Sequence, residues 1–360
     1  MPLLLFLAGL VLLVLGAELL VRGASRLAMV IGLSPLVIGL TVVAYGTSTP
    51  ELVVSVQAAW AGSTGIAVGN VVGSNILNVL FILGLAALIL PLRVAQRLVW
   101  WDVPIMIGTG LLLAAMAADG RVSRLEGLLL VAGMAAYTAW VVRLSWRETR
   151  QVEAEYDEAF GDARRTPGWA SALVALVGLA LLVAGARWLV DAAVTIARGA
   201  GLGETVVGLT IVAAGTSLPE VATSLVAAAR GERDIAVGNV VGSNIFNVLA
   251  VLGAAALVAA DGVAVSPAIY RFDLPVMLAV SLACLPIFFT GHTIARWEGA
   301  VFLAYYLAYT AYLILDATGH DALPAFAGVM MAFVAPLTAL TLLVVAGREI
   351  LARRRAPEPA

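Results

Sequence analysis

The chain has 360 residues, of which 62% are apolar and 12% charged, and its mean hydropathy is +1.02. Soluble domains are roughly 45–50% apolar, so this composition excludes an ordinary soluble protein and predicts repeated membrane-spanning helices. The net charge of −2 comes without a basic patch, which gives no reason to expect a nucleic-acid partner. A single cysteine, Cys284, excludes a disulfide framework, and His292 and His320 form no metal-ligand pattern with each other.

Hydropathy predicts eleven spans, and the first lacks the basic start and the cleavage motif of a signal peptide. The spans lie near residues 2–21, 34–60, 66–90, 99–118, 124–143, 169–190, 203–229, 235–259, 270–290, 296–315 and 322–347. The one long polar segment, residues 143–168, carries both signs of charge. It is predicted to be a surface linker or a short amphipathic helix.

Arginine placement predicts the orientation, because the chain contains no lysine. Assigning the loops to alternate sides puts 16 arginines on the side of the C-terminal tail and five on the other. The positive-inside rule then predicts an outside N-terminus, a cytoplasmic C-terminus and a multi-pass protein of the cell's inner (cytoplasmic) membrane.

The sequence repeats itself, since a shift of 169 aligns residues 41–84 with 210–253 at 28 identities in 44 positions. The string "IAVGNVVGSNI" occurs twice unchanged, at 66–76 and 235–245. Weaker matches extend the repeat to about residue 318. An odd number of spans per copy inverts the second copy, as in many secondary transporters. The predicted fold class is an all-α polytopic membrane protein with two inverted five-helix repeats plus an eleventh C-terminal helix.

This organisation predicts four segments. The first five-helix repeat covers residues 1–143, with its repeated motif at 39–84, and a cytoplasmic linker covers 144–168. The second, inverted repeat covers 169–318, with its motif at 208–253. Residues 319–360 are predicted to form the extra transmembrane helix and a basic cytoplasmic tail.

Two carboxylates, Glu51 and Glu220, lie near the middle of their predicted spans. Ionisable groups at that depth are costly and indicate a functional site. Each follows a proline, Pro50 or Pro219, which removes a helical donor and predicts a broken helix. Five other carboxylates lie near span ends and are predicted to be interfacial anchors or caps: Asp102, Glu126, Glu204, Asp273 and Glu298.

Further oxygen-bearing side chains surround these glutamates in both copies. They are Thr47, Ser48, Ser74 and Asn78 in the first copy and Thr216, Ser217, Ser243 and Asn247 in the second. Hard oxygen ligands favour calcium or sodium and argue against zinc, copper or iron. Four other asparagines are open between ion ligation, ligand orientation and helix capping: Asn70, Asn75, Asn239 and Asn244.

The doubled "GTSxPE" and "GNVVGSNIxN" motifs resemble the two α-repeats of the cation/calcium exchanger superfamily, closest to its prokaryotic sodium/calcium exchangers. The resemblance implies exchange of sodium for calcium at one central cluster by alternating access, with the first and sixth helices sliding over the rest. It implies ion ligation by Ala44, Thr47, Ser48, Glu51, Ser74 and Asn78, and by Ala213, Thr216, Ser217, Glu220, Ser243 and Asn247. The two alanines would contribute backbone carbonyls.

The sequence departs from the family pattern in three ways. Asn247 stands where some members, including potassium-dependent ones, carry aspartate, so the site has two carboxylates rather than three. This lowers the case for potassium. The eleventh span exceeds the usual ten, and the large calcium-binding regulatory domains of animal members are missing.

The leading functional prediction is a secondary antiporter with calcium and sodium as transported substrates, the lipid bilayer as surroundings, no cofactor and no obligatory protein partner. An H⁺/Ca²⁺ antiporter that uses Glu51 and Glu220 as proton carriers is the nearest alternative. A channel is a second class, although a two-glutamate cage suits tight occupancy better than rapid conduction. An intramembrane enzyme is not expected, because the spans contain no recognisable catalytic set.

Overall fold

The computed structural model of this chain describes residues 2–160, 167–199 and 213–355. Within these ranges, nine helices are long and apolar enough to cross a membrane, and a pair bent by 45° supplies a tenth crossing. The first half contains α1 (Pro2–Ile31), the bent pair α2 (Pro35–Thr47) and α3 (Thr49–Trp60), α4 (Thr64–Ile89), α5 (Leu98–Asp119) and α6 (Arg124–Phe160). The second half contains α7 (Gly168–Gly199), α8 (Ala213–Gly215), α9 (Leu218–Ala229), α10 (Arg233–Val258), α11 (Ile269–Phe289), α12 (Arg296–Ala317) and α13 (Leu323–Val345).

Ten of the eleven predicted spans correspond to these crossings. The seventh, 203–229, lies partly outside the described residues, and α8 and α9 are its described part. Helix α6, the fifth predicted span, runs past its predicted end at 143 and continues to Phe160. Helix α13, the eleventh predicted span, packs on the second repeat, where Tyr305 of α12 donates a 2.7 Å hydrogen bond to Thr338.

Two short antiparallel strand pairs display the inversion of the repeats. Strand β1 (Leu92–Arg93) pairs with β4 (Thr293–Ile294), and β2 (Arg121–Val122) pairs with β3 (Val263–Ala264). Strands β1 and β3 each follow the central helix of their repeat, α4 or α10, and β2 and β4 each precede the last helix, α6 or α12. By position in the repeat, β1 therefore corresponds to β3, and β2 to β4. Equivalent strands therefore belong to different sheets at different loop layers, as expected if the second copy is upside down relative to the first.

Helices α1 and α7 pack antiparallel along their lengths, with glycines at the closest points. A Cβ added to Gly9 would lie 2.9 Å from the Gly185 carbonyl oxygen, and one added to Gly16 would lie 2.7 Å from that of Gly178. Only residues without a side chain permit such backbone contact. The repeat relates Gly9 to Gly178 and Gly16 to Gly185, so the interface is itself two-fold.

Helices α4 and α10 form the centre of the protein. In their most apolar stretches 72% and 83% of residues are buried, against 6% for α12 and 0% for α13. Both helices widen into a π-helical turn at the same repeat position, over Asn78–Leu83 and Asn247–Leu252. Such turns are rare and frequently occur at functional sites. Here they begin at the two asparagines predicted to ligate ions.

Candidate cation-binding site

The predicted helix breaks occur in both repeats at the residue two positions before the proline. Ser48 interrupts the first copy at φ −82° and ψ 9°, and Ser217 interrupts the second at φ −87° and ψ 5°. Pro50 and Pro219 then occupy the first turn of α3 and α9, where a missing N–H costs no hydrogen bond. The prediction of two broken helices is therefore confirmed.

The two glutamates follow directly, in the first turn of α3 and α9. Each carboxylate thus lies near the positive end of a helix dipole, which stabilises negative charge. Glu51 and Glu220 are both buried, with 1% of each side chain exposed. The folded protein thus buries two acidic groups whose exposure to lipid would be energetically costly.

Hydroxyl groups join each glutamate to the opposite repeat. Ser48 donates to Glu220 Oε1 and Ser217 donates to Glu51 Oε1, both at 2.8 Å. The oxygen of Ser217 also lies 3.0 Å from that of Ser74. Five predicted ligands thereby make contacts between the two copies, and each half-site depends on the other.

The predicted threonine ligands contact asparagines of the opposite repeat. Thr47 donates to Asn239 Oδ1 over 3.1 Å and to the Ala44 carbonyl over 3.3 Å, while Thr216 donates to Asn70 Oδ1 over 3.3 Å. The carbonyl of Ala44 also accepts the Ser48 N–H at 3.0 Å. Ala213 opens helix α8 at the edge of the described residues.

Five buried oxygens around this cluster have no hydrogen-bond partner among the described residues. They are Glu51 Oε2, Glu220 Oε2, Asn78 Oδ1, Asn247 Oδ1 and Ser243 Oγ. A buried polar atom without a partner costs about 1–3 kcal/mol, and more if it is charged. The five atoms lie on α3, α4, α9 and α10, helices that pack against one another. Each is an oxygen of the kind that a hard cation takes as a ligand.

Two serines in this network were not predicted from the sequence. Asn70 donates to Ser55 Oγ at 3.0 Å, and Asn239 donates to Ser224 Oγ at 2.9 Å. A signal was available, because Ser55 and Ser224 occupy equivalent, identical positions in the two copies. Both hydroxyls hold an asparagine amide whose oxygen accepts from a predicted threonine ligand.

The carboxylates near span ends have structural partners. Glu126 accepts the N–H of Ser123 at 2.8 Å, and Glu298 accepts that of Ala295 at 2.7 Å, so both cap a helix. The other two accept tyrosine hydroxyls, Asp102 from Tyr137 and Asp273 from Tyr309, at 3.0 and 2.8 Å. Glu204 lies outside the described residues.

The family profile described as sodium/calcium exchanger protein matches residues 1–143 and 170–315 of this chain. The chain belongs to the sodium/calcium exchanger family. The inner membrane protein YrbG of Escherichia coli K12 is 39% identical over 281 residues, which cover 77% of this chain and 86% of YrbG. The sodium/calcium exchanger MaX1 of Methanosarcina acetivorans is 36% identical over 343 residues, which cover 86% and 97% of the two chains.

A structure of the sodium-calcium exchanger NCX_Mj superposes on this chain with a TM-score of 0.74 at 32% identity, covering 86% of this chain and 97% of NCX_Mj. This likeness confirms the predicted fold class. Membership of a family of transporters likewise confirms the predicted resemblance, and makes this multi-pass membrane protein a cation/calcium exchanger rather than an enzyme.

Proposed function

We propose that this exchanger carries Ca²⁺ in one direction and Na⁺ in the other through the cluster around Glu51 and Glu220. The observation that carries the proposal is the set of five buried oxygens left without partners among the described residues. Two of them belong to carboxylates, whose charges together balance one Ca²⁺. The same oxygens accept Na⁺, so occupation by one ion excludes the other and couples the two fluxes.

The ligand set that we propose includes all twelve predicted residues: Ala44, Thr47, Ser48, Glu51, Ser74, Asn78, Ala213, Thr216, Ser217, Glu220, Ser243 and Asn247. Calcium takes about 6–8 oxygens at one time, so these residues supply more donors than one ion needs. The surplus allows several Na⁺ to occupy overlapping subsites. Site charge and donor type match hard cations and do not match soft metals.

Alternating access requires one part of the protein to move past the site. We propose that α1 and α7 move together, because their glycine-lined interface joins them along most of their length. The remaining central helices, which carry the glutamates and asparagines, form the other part. MaX1 is named a sodium/calcium exchanger, and its similarity over most of both chains supports the same exchange here.

The coupling ion is the point on which the nearest alternative differs. An H⁺/Ca²⁺ antiporter would use the unpartnered oxygens of Glu51 and Glu220 as proton acceptors. Purified protein in proteoliposomes tests this directly. We expect ⁴⁵Ca²⁺ uptake to follow an outward Na⁺ gradient at equal pH on both sides. Uptake that follows a proton gradient and ignores Na⁺ would establish the alternative.

We further propose an inner-membrane location with the N-terminus outside and the C-terminus cytoplasmic. The support is the arginine distribution, 16 against five, together with the similarity to an inner membrane protein, YrbG. The division at residues 1–143, 144–168, 169–318 and 319–360 belongs to the same proposal. A C-terminal reporter that is active only in the cytoplasm tests the orientation, and a silent fusion would contradict it.

A further inference from the structure

All six asparagines of the chain lie in the two repeated segments: Asn70, Asn75, Asn78, Asn239, Asn244 and Asn247. Asn78 and Asn247 belong to the proposed ligand set. Asn75 and Asn244 lie three positions earlier and are 4% and 1% exposed. The amide oxygen of each accepts a hydrogen bond. Their hydrogen bonds cross to the opposite repeat.

The amide of Asn75 has only one orientation that satisfies its surroundings. Its Nδ2 donates to the backbone carbonyl of Asn244 at 3.2 Å and approaches the sulfur of Met277 at 3.7 Å. Carbonyls and thioethers accept hydrogen bonds and cannot donate them, so the NH₂ group must lie on that side. The oxygen of Asn75 is therefore directed away from them, and it accepts Nδ2 of Asn247 at 3.1 Å.

That contact determines the orientation of Asn247 in turn. Because its NH₂ group donates to Asn75, its Oδ1 is the buried atom that has no partner in the described part of the chain. The amide could not be turned over without setting oxygen against oxygen. This series of donors and acceptors therefore fixes which amide atom of Asn247 is the oxygen.

Asn244 makes the equivalent hydrogen bonds in the opposite direction. Its Nδ2 donates to the carbonyl of Asn75 at 3.4 Å and approaches the sulfur of Met106 at 3.5 Å. Its Oδ1 accepts Nδ2 of Asn78 at 2.9 Å, and the buried Oδ1 of Asn78 has no partner among the described residues. The four asparagines thus form a two-fold symmetric network across the repeats.

We propose that Asn75 and Asn244 are positioning residues that hold the oxygens of Asn247 and Asn78 toward the transported cation. This inference rests on the proposed function, since it assumes that those two oxygens ligate the ion. A flipped ligand amide would present its partly positive NH₂ group to the cation. The positioning residues therefore keep two neutral ligands as permanent acceptors, in a proposed site that takes its negative charge from Glu51 and Glu220.

The experiment is a double-mutant cycle between Asn75 and Asn247, read by equilibrium ⁴⁵Ca²⁺ binding to the purified full chain. Asn75→Leu removes the acceptor that orients Asn247. Asn247→Asp replaces the ligand amide by a carboxylate, both of whose oxygens are acceptors, so that orientation no longer matters. The side chain of Asp at 247 would also be repelled by the oxygen of Asn75, and Asn75→Leu relieves that repulsion.

We expect Asn75→Leu to weaken Ca²⁺ binding about tenfold when residue 247 is asparagine, the effect of losing one interaction of hydrogen-bond strength. In the Asn247→Asp background the same change should leave binding unaltered or improve it. A residue that only holds helices together would cost the same in both backgrounds, and that result would overturn the inference while leaving the exchanger function intact. Wild-type protein that binds no Ca²⁺ would overturn both.

Elution as a single species and thermal stability identify variants that fail to fold. If Asn75→Leu does not fold, Asn75→Ala removes the same acceptor without adding branches. The equivalent double-mutant cycle of Asn244→Leu with Asn78→Asp tests the other half of the asparagine network. Thr109→Val is the matched control. Its buried hydroxyl donates to the Met106 carbonyl of its own helix, so Ca²⁺ binding should not change.

Discussion

Ser48 donates a 2.8 Å hydrogen bond to Oε1 of Glu220, a residue 172 positions further along the chain. Ser217 makes the equivalent bond to Glu51 in the opposite direction. Neither repeat therefore completes its own carboxylate environment. The cluster exists only when the two inverted copies are packed together, which places it between them.

Removing either serine hydroxyl should weaken cation binding without unfolding the protein. A hydrogen bond to a charged group contributes about 1.5–3 kcal/mol, so Ser48→Ala and Ser217→Ala should each raise the Ca²⁺ concentration for half-maximal transport roughly tenfold or more. Ca²⁺ dependence of uptake into proteoliposomes measures this. Ser281→Ala is the control, because that buried hydroxyl donates to the Met277 carbonyl of its own helix. Equal effects in all three variants would argue against a specific role.

Neutralising one glutamate should abolish transport. Glu51→Gln and Glu220→Gln each leave a buried divalent cation facing a single carboxylate, and uncompensated buried charge costs about 3–5 kcal/mol. Ca²⁺ flux should fall at least about a hundredfold while the protein still elutes as one species. Glu126→Gln, which alters only a helix cap, should transport normally. Near-normal flux in either site variant would contradict the assignment.

The contact between α1 and α7 should tolerate no side chain at Gly16. A Cβ there would lie 2.5 Å from the Leu182 backbone nitrogen, so Gly16→Ala must separate the two helices or shift one of them. Overpacking of this kind costs about 1–3 kcal/mol. We expect a lower melting temperature and slower transport. Gly108→Ala is the matched control, because its Cβ would meet nothing within 4 Å; equal losses in both would contradict the packing argument.

Glu18 on α1 forms ion pairs with Arg22 of its own helix and with Arg230, which follows α9. The repeat equivalents of Glu18 and Arg230 are Arg187 and Ala61, so the link between α1 and α9 has no matching charges in the other copy. Arg230→Glu should slow transport by repulsion, and adding Glu18→Gln should restore part of the rate. The coupling should stay below about fivefold, because these groups are partly exposed.

The control for this pair lies three residues further along the chain, at the start of α10. Arg233→Glu changes charge nearby, yet Arg233 forms no ion pair with Glu18 in the described part of the chain. Glu18→Gln should therefore give no rescue there. Transport rates at a fixed Ca²⁺ concentration compare the four variants, and identical rescue of both arginine variants would show a general charge effect instead of a specific link.

The sequence was sufficient to predict the repeats, the broken helices and the two buried glutamates. Each followed from a local signal: doubled motifs, a proline within an apolar run, and a charge at the centre of a span. Gly9 and Gly16 also gave a signal through their spacing of seven, which places both on one helix face, although only the structure identifies α7 as their partner.

The network of four asparagines could not be predicted in the same way. Spacing places Ser74 and Asn78 on one helix face, but the direction of an amide depends on which carbonyl or sulfur the opposite repeat presents to it. The π-helical turns at Asn78 and Asn247 likewise lack a local sequence signal. The amide directions arise from contacts between segments about 170 residues apart, and sequence periodicity does not report such contacts.

Exchange through the two glutamates requires Na⁺ and Ca²⁺ to compete for one site. Equilibrium ⁴⁵Ca²⁺ binding to the purified protein, repeated over a range of Na⁺ concentrations, measures it. We predict saturable binding that Na⁺ displaces completely and that disappears in the Glu51→Gln/Glu220→Gln double variant. Ca²⁺ binding that survives in the double variant, or that Na⁺ does not displace, would contradict exchange through the two glutamates.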